Sequence, residues 1–169
     1  MSKELCKKLG ISEEILLARG FIEYPEATVL DVAEATPDRT FELVPEAAAA
    51  WKAMKAAAAK AGIKLWLKSA FRSVSYQAGI IRDKIANGET IEQILAESAP
   101  PGYSEHHTGL AVDINSLKAS FENTDAYEWL TRHAGDFGFE LSYPRNNAQG
   151  YNFEPWHWRF SGTLLADAN

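Results

Sequence analysis

Two short stretches contain residue types that could hold a metal ion and move a proton: SEHHTGLAVD from Ser104 to Asp113, and EPWH from Glu154 to His157. Two imidazoles and one carboxylate make a good shell for a catalytic zinc ion, because three protein ligands leave a fourth position for water. Such an ion brings the pKa of water to about 7 and polarises a carbonyl. A base is still needed to manage the protons. Glu154 is the candidate: it lies three residues before His157, and Pro155 breaks strand regularity between them, so its carboxylate could reach the water without binding the metal. The helical HExxH arrangement is absent. His107 competes with His106 for the ligand role, although neighbouring side chains point apart, and His133 reads as a solvated helix residue. Each residue also has a plainer reading. A lone histidine beside a strand is more often a hydrogen-bonded group than a ligand, Asp113 could cap a turn, and Glu154 could be a surface charge.

The elements that carry these residues must meet geometric demands. His106 and Asp113 are seven positions apart, which suits one face of a helix, but Gly109 and the β-branched Thr108 and Val112 argue against a helix there. On a straight strand an odd separation puts them on opposite faces, so the chain must turn around Thr108 and Gly109 for both to meet one ion. The run from Gly109 to Asn115 reads as a buried strand. Along it Gly109, Ala111 and Asp113 share one face, expected to clear space for a ligand, while Leu110, Val112 and Ile114 share the other and enter the core. The same alternation from Trp156 to Phe160 puts His157 and Arg159 on one face, with Trp156, Trp158 and Phe160 on the other.

Around these two strands the spacing predicts a helix from Glu46 to Ala61, entered through Pro45 and closed by Gly62. A strand from Ile63 to Lys68 follows and delivers Ser69 to Arg72 at its end. Helices are expected from Ser75 to Ala86 and from Thr90, a plausible N-cap, to Glu97, followed by a loop at Ala99 to Gly102. A further helix from Glu122 to Ala134 and a strand from Phe137 to Leu141 precede the last strand. Ser12 to Ala18 reads as a short helix, expected to roof a pocket. Helices first and strands later imply an α+β fold with a small, mainly antiparallel sheet flanked by helices.

A chain of 169 residues fits one domain. Its 46% hydrophobic content and five tryptophans are those of a protein with a real core, not a disordered one. The net charge of -6 argues against nucleic acid as a partner, since a polyanion binder normally shows a basic face. Near the N-terminus the best apolar run, Ile15 to Ala18, is too short for a signal peptide or a membrane span, and the expected location is the cytoplasm. The single Cys6 excludes an intrachain disulfide, lies outside any CxxC spacing and sits near a terminus expected to be mobile. Packing or a metal must supply the stability.

With both motifs in view, the sequence resembles the zinc D-alanyl peptidases of the LAS group (lysostaphin, D-alanyl-D-alanine carboxypeptidase, sonic hedgehog fold), especially the vancomycin-resistance D,D-peptidases and related L,D-carboxypeptidases. The pattern S-x-H-x-x-G-x-A-x-D followed by E-x-W-H is filled at every fixed position: Ser104, His106, Gly109, Ala111, Asp113, Glu154, Trp156 and His157. Ser69 to Gln77 looks like the family's S-G-Y-R-S segment with a glutamine five residues after the arginine, and Ala70 and Phe71 replace the commoner glycine and tyrosine. The resemblance runs from about residue 40 to 161.

It implies one zinc ion per chain on His106, Asp113 and His157, with Glu154 as general base and later acid. Arg72 would steady the oxyanion, a task suited to a preorganised cation. Gln77 and Ser104 would grip the substrate's terminal carboxylate, and Trp156 would wall the pocket. The fold implied is hedgehog-like or D,D-peptidase-like, a single domain over 1–169 with 1–40 as an N-terminal decoration and 41–161 as the catalytic core. The activity implied is a zinc carboxypeptidase that releases C-terminal D-alanine from peptidoglycan stem peptides or precursors, in cell-wall recycling or remodelling. Both D,D and L,D cleavage occur on this scaffold, and the reading leans to L,D because a leaderless enzyme suits tetrapeptide recycling. An endopeptidase is a weaker reading, having no terminal carboxylate for Gln77 and Ser104 to hold. A reading from another class is a non-catalytic, zinc-stabilised module that binds cell-wall peptides or a protein partner. Retention of Glu154 speaks against it.

Overall fold

The computed structural model describes residues 2–162. In chain order its elements are α1 (Ser2–Lys8), α2 (Glu13–Ala18), β1 (Asp31–Ala35), β2 (Thr40–Leu43), α3 (Pro45–Lys60), β3 (Leu67–Ser69), α4 (Val74–Ala86), α5 (Ile91–Glu97), β4 (Ala111–Ile114), α6 (Asp125–His133), β5 (Phe139–Leu141) and β6 (His157–Phe160). Short 3-10 turns cover Glu105–Thr108, Ala119–Asn123 and Ala134–Phe137.

The helix boundaries follow local chemistry. Proline stands at the start of α3, and the chain leaves it through Gly62 at φ 77, a conformation that costs glycine little. Trp51, Met54 and Ala58 recur at helical spacing and are fully buried. Thr90 caps α5 in a reciprocal box: its side chain accepts from Gln93 N, and the Gln93 side chain accepts from Thr90 N. Ser73 caps α4 with a single bond, its hydroxyl accepting from Tyr76 N.

The four-stranded sheet has the order β3-β4-β6-β5, with every pair antiparallel, which matches the expected α+β class. Val112, Ile114, Trp158 and Phe160 point from its central strands into the main core, where they join Trp51, Met54, Leu67, Leu130 and Phe139. A second, smaller core gathers Cys6, Ile11 and Leu16 with Ile81 of α4, Ile94 and Leu95 of α5, and Tyr103. The short helix α2 therefore packs behind α4 and α5; its residues do not line the main cleft, so it is not the roof expected from sequence. Cys6 is buried in this core, contrary to a mobile terminus.

Two further differences have physical causes. The strand expected over Ile63 to Lys68 is shorter and later, because the Asn115 side chain takes over the backbone pairing there. Its Oδ1 accepts from Trp66 N and its Nδ2 donates to Lys64 O, both at 2.9 Å. The boundary drawn at residue 40 falls inside a hairpin, since β1 pairs antiparallel with β2 and Ala35 stands opposite Thr40. Glu34 of β1 is tied to Trp51 Nε1, Lys55 and Leu67 N, fastening the hairpin to α3 and β3.

Candidate metal centre

The sheet and one tight turn bring the first ligand candidates together. Asp113 of β4 and His157 of β6 are directly opposite in the antiparallel register, so their side chains leave the same face as near neighbours. His106 arrives from the 3-10 turn Glu105–Thr108, whose N-cap Ser104 accepts from His106 N at 3.3 Å. The turn ends at Gly109 in the left-handed conformation, φ 66, which is how the chain bends between His106 and Asp113.

Gly109 serves a second need. A Cβ there would stand 3.0 Å from Leu30 Cδ2 and 3.1 Å from Val44 N, so the position abuts the N-terminal segment. Gly109 and the fully buried Ala111 do not line the cleft, and the expectation that this small face clears space for a ligand is corrected. The chain before β1 covers it, with Ala27 N donating to His107 O at 2.7 Å.

His106, Asp113 and His157 each offer an atom within 4.8 Å of the others, and all three are buried. Asp113 Oδ1 lies 3.3 Å from His106 Nε2 and 3.2 Å from His157 Nδ1. Despite these distances, His106 Nε2 and Asp113 Oδ1 have no hydrogen-bond partner among the described residues, since the atoms are not aligned as donor and acceptor. Buried polar atoms are rarely left without a partner. Two ligands about 2.0–2.1 Å from a tetrahedral ion stand about 3.4 Å apart, so the spacing and the unsatisfied atoms fit a zinc-sized cation. The tautomers agree. His106 Nδ1 lies 2.7 Å from the Ala70 carbonyl, which can only accept, so this nitrogen carries the proton and Nε2 presents a lone pair.

His107 points away from the centre and has another task. Its Nδ1 donates to Arg72 O at 2.7 Å and its Nε2 accepts from Gly102 N at 3.0 Å, so it braces the backbone beneath the site. His133 lies on α6 beside Asp136, half exposed and away from the cleft.

Glu154 and His157 occupy the two ends of a tight turn around Pro155 and Trp156, closed by His157 N donating to Glu154 O at 3.1 Å. The Glu154 carboxylate thereby sits 3.6 Å from His157 Nδ1, on the same side as the ligand atoms. Burial pushes its pKa up to about 7, against the opposing pull of the His157 and Arg72 charges. Burial likewise drives His106 down to about 4, helped by the Arg72 charge. Burial also opposes charge on His157, but the carboxylates of Asp113, Glu105 and Glu154 prevail and push it up to about 10. For Asp113 the cost of burial is outweighed by the two imidazoles, which hold it below the usual carboxylate range. Such a cluster of carboxylates favours a cation among them.

The remaining expected residues border one cleft of about 740 Å³, which Arg72, Gln77, Ser104, Glu154 and Trp156 line together with the three ligand candidates. Arg72 is fixed by its backbone, with N donating to His106 O, and its Nε is buried without a partner among the described residues. Gln77 on α4 is buried; its Nε2 gives one N–H to Ala99 O at 2.8 Å, leaving a second N–H and an Oε1 that has no partner among the described residues. Ser104 Oγ accepts from His106 N, so its own proton remains available to a ligand. Trp156 is half-buried between cleft and main core.

Two residues outside the expected set also belong to this region. The Tyr143 ring packs 4.6 Å from the His157 ring, and Glu105 is a buried carboxylate in contact with His157. Glu105 was readable in principle, since an acidic residue wedged between Ser104 and His106 in an otherwise buried motif is unusual. Tyr143 left no such signal in its turn-rich stretch.

Comparison with known proteins gives a consistent picture. Residues 40–163 match the family described as VanY, D-alanyl-D-alanine carboxypeptidase. The chain is 38% identical over 130 residues to the putative carboxypeptidase YodJ of Bacillus subtilis (strain 168), an alignment covering 72% of this chain and 47% of that protein. The chain spans about half the length of the curated relatives it matches. Among solved structures it resembles the LdcB LD-carboxypeptidase, with TM-score 0.66 and 32% identity over 81% of this chain and 66% of that one. It also resembles a vancomycin-resistance D,D-pentapeptidase, VanY, determined in complex with Zn(II), with TM-score 0.62 and 29% identity over 80% of this chain and 82% of that one.

Proposed function

The chain belongs to the VanY family of D-alanyl-D-alanine carboxypeptidases, and from this premise we propose that it hydrolyses the bond before a C-terminal D-alanine in peptidoglycan stem peptides or their precursors. The observation that carries the proposal is Glu154: a buried carboxylate 3.6 Å from His157 Nδ1, inside the cleft but outside the three-ligand set. A module that only bound wall peptides would have no use for a desolvated carboxylate at that place.

His106, Asp113 and His157 would hold one zinc ion, which when bound supplies Lewis acidity, acidifying water and polarising the scissile carbonyl. Glu154 takes the proton of the attacking water and returns a proton to the leaving amine. Arg72, whose buried Nε lacks a partner among the described residues, holds the carbonyl oxygen as negative charge develops on it. The free N–H of Gln77 and the hydroxyl proton of Ser104 receive the terminal carboxylate, and Trp156 walls the small D-alanine methyl. A carboxylate anchor of this kind suits an exopeptidase. The cytoplasm remains our proposed location, and cell fractionation checks it.

Incubating the zinc-loaded protein with a stem tetrapeptide and a stem pentapeptide, with released D-alanine read by mass spectrometry, tests the proposal. Likeness to LdcB supports release from the tetrapeptide, an L,D cleavage. Release from the pentapeptide alone moves the assignment to D,D, and release from neither removes the carboxypeptidase reading.

A further inference from the structure

The proposed hydrolysis leaves one buried carboxylate without work. Glu105 is only 8% exposed, and among the described residues no lysine or arginine is in ion-pair contact with it; its Oε2 instead accepts from His157 Nε2 at 2.9 Å and from Ser142 Oγ at 2.7 Å. Burying a carboxylate is costly unless its hydrogen bonds compensate, so a fold that keeps one at this position obtains something from it.

The neighbours of His157 show what that is. An imidazole can present either nitrogen to a metal, and turning the ring over exchanges them. Tyr143 packs 4.6 Å from the ring and His106 meets it edge-on at 4.9 Å, contacts that locate the ring without telling its two nitrogens apart. The carboxylate of Glu105 does tell them apart, because it can only accept: it requires the proton on Nε2, so that in the neutral ring a metal ligand must be, the lone pair falls on Nδ1, which lies 3.2 Å from Asp113 Oδ1.

We propose that Glu105 is a positioning residue for the metal centre, selecting the Nε2–H tautomer and the ring orientation in which His157 presents Nδ1. This rests on His157 being a metal ligand, as proposed above. Placement in the chain adds a second effect. Glu105 immediately precedes His106 in the 3-10 turn, so one residue ties the turn that carries the first imidazole to the strand β6 that carries the second. Ser142, just beyond β5, holds the other side of the interaction and keeps the carboxylate from rotating away.

Zinc affinity measured by chelator competition on wild type and on Glu105→Ala, Glu105→Asp and Glu105→Gln tests this without reference to turnover. Loss of the outer hydrogen bond is expected to weaken zinc binding by roughly 10- to 100-fold in Glu105→Ala. Glu105→Asp withdraws the oxygens by one methylene with little disturbance of the fold and should show a smaller loss in the same direction. Glu105→Gln retains an oxygen that accepts the same N–H and should recover most of the affinity. Proton–nitrogen NMR of the zinc-loaded proteins should show a protected His157 Nε2–H in wild type and Glu105→Gln that is lost to solvent exchange in Glu105→Ala. Wild-type affinity in both Glu105→Ala and Glu105→Asp, or equal damage in Glu105→Gln and Glu105→Ala, overturns the proposal while leaving the metal centre in place. A wild-type protein that holds no zinc overturns the metal centre itself, and this inference with it.

Discussion

The floor of the cleft and its helical wall are supported in different ways. On the floor, Asp113 and His157 face each other across a β-ladder, and His106 is held by the Ala70 carbonyl on one side and the Ser104 cap on the other. The two imidazoles are placed by side-chain hydrogen bonds of defined direction, and Asp113 by the backbone pairing of the ladder. The wall, α4 with Gln77 and Ile80, rests through Ile81 on the second core, where Cys6, Ile11 and Leu16 of the N-terminal segment meet Ile94 and Leu95 of α5. Apolar contacts dominate there, and these are non-directional. A proton-transfer site needs placement to fractions of an ångström, whereas a wall that admits a flexible peptide tolerates more give. On the proposed function, the chemistry thus rests on directional bonds and the recognition surface on packing.

The sharpest way to probe this contrast begins on the floor. Glu154→Gln should lower kcat by about 10²–10⁴-fold, the range for a general acid–base group, with zinc content and KM little changed. Steady-state kinetics with metal analysis checks it, and retained turnover would place the proton transfer elsewhere. Leu16→Ala strikes the wall from behind. Removing a nearly fully buried leucine should cost about 2–5 kcal/mol of stability in urea unfolding and raise KM more than it lowers kcat. A fall in kcat with unchanged KM would break the contrast, because it would mean that the second core positions the floor as well.

The smallest effect concerns Cys6 in that same core. Burial, with the Glu23 charge adding to it, pushes its thiol up to about 11. The folded chain thus keeps a proton that the unfolded chain releases at about pH 8.5. Stability from this group is complete below that pH and declines as pH rises towards 11, since the unfolded state then binds fewer protons. Maleimide labelling at pH 8 should be slow in the native protein and rapid in denaturant; fast native labelling would show that the second core opens readily.

Local signals were well represented in the sequence, and signals that depend on distant partners were not. Pro45, Gly62, Thr90 and the Trp51, Met54 and Ala58 spacing marked helices because caps and periodicity act within a few residues. The hairpin of β1 and β2 went unread although Thr40 to Leu43 alternates between exposed and buried, as a strand of four residues is too short to stand out. Strand β3 came out shorter than the alternation over Ile63 to Lys68 suggests, because a side chain fifty residues away, Asn115, pairs with that backbone. Gly109 was assigned a turn for a sound local reason, while the role given to its missing side chain failed because Leu30 and Val44 come from elsewhere in the chain.

By itself, the sequence determined which residues could coordinate, which could shuttle a proton, and that the chain must turn at Gly109 for the first two ligand candidates to meet, since these follow from side-chain chemistry and strand periodicity. The tertiary structure alone decided that His106 offers Nε2 while His157 offers Nδ1, and that Glu105 lies behind the latter. Those choices depend on carbonyls, amides and carboxylates that packing brings from distant segments, and an imidazole's two nitrogens differ only through such partners.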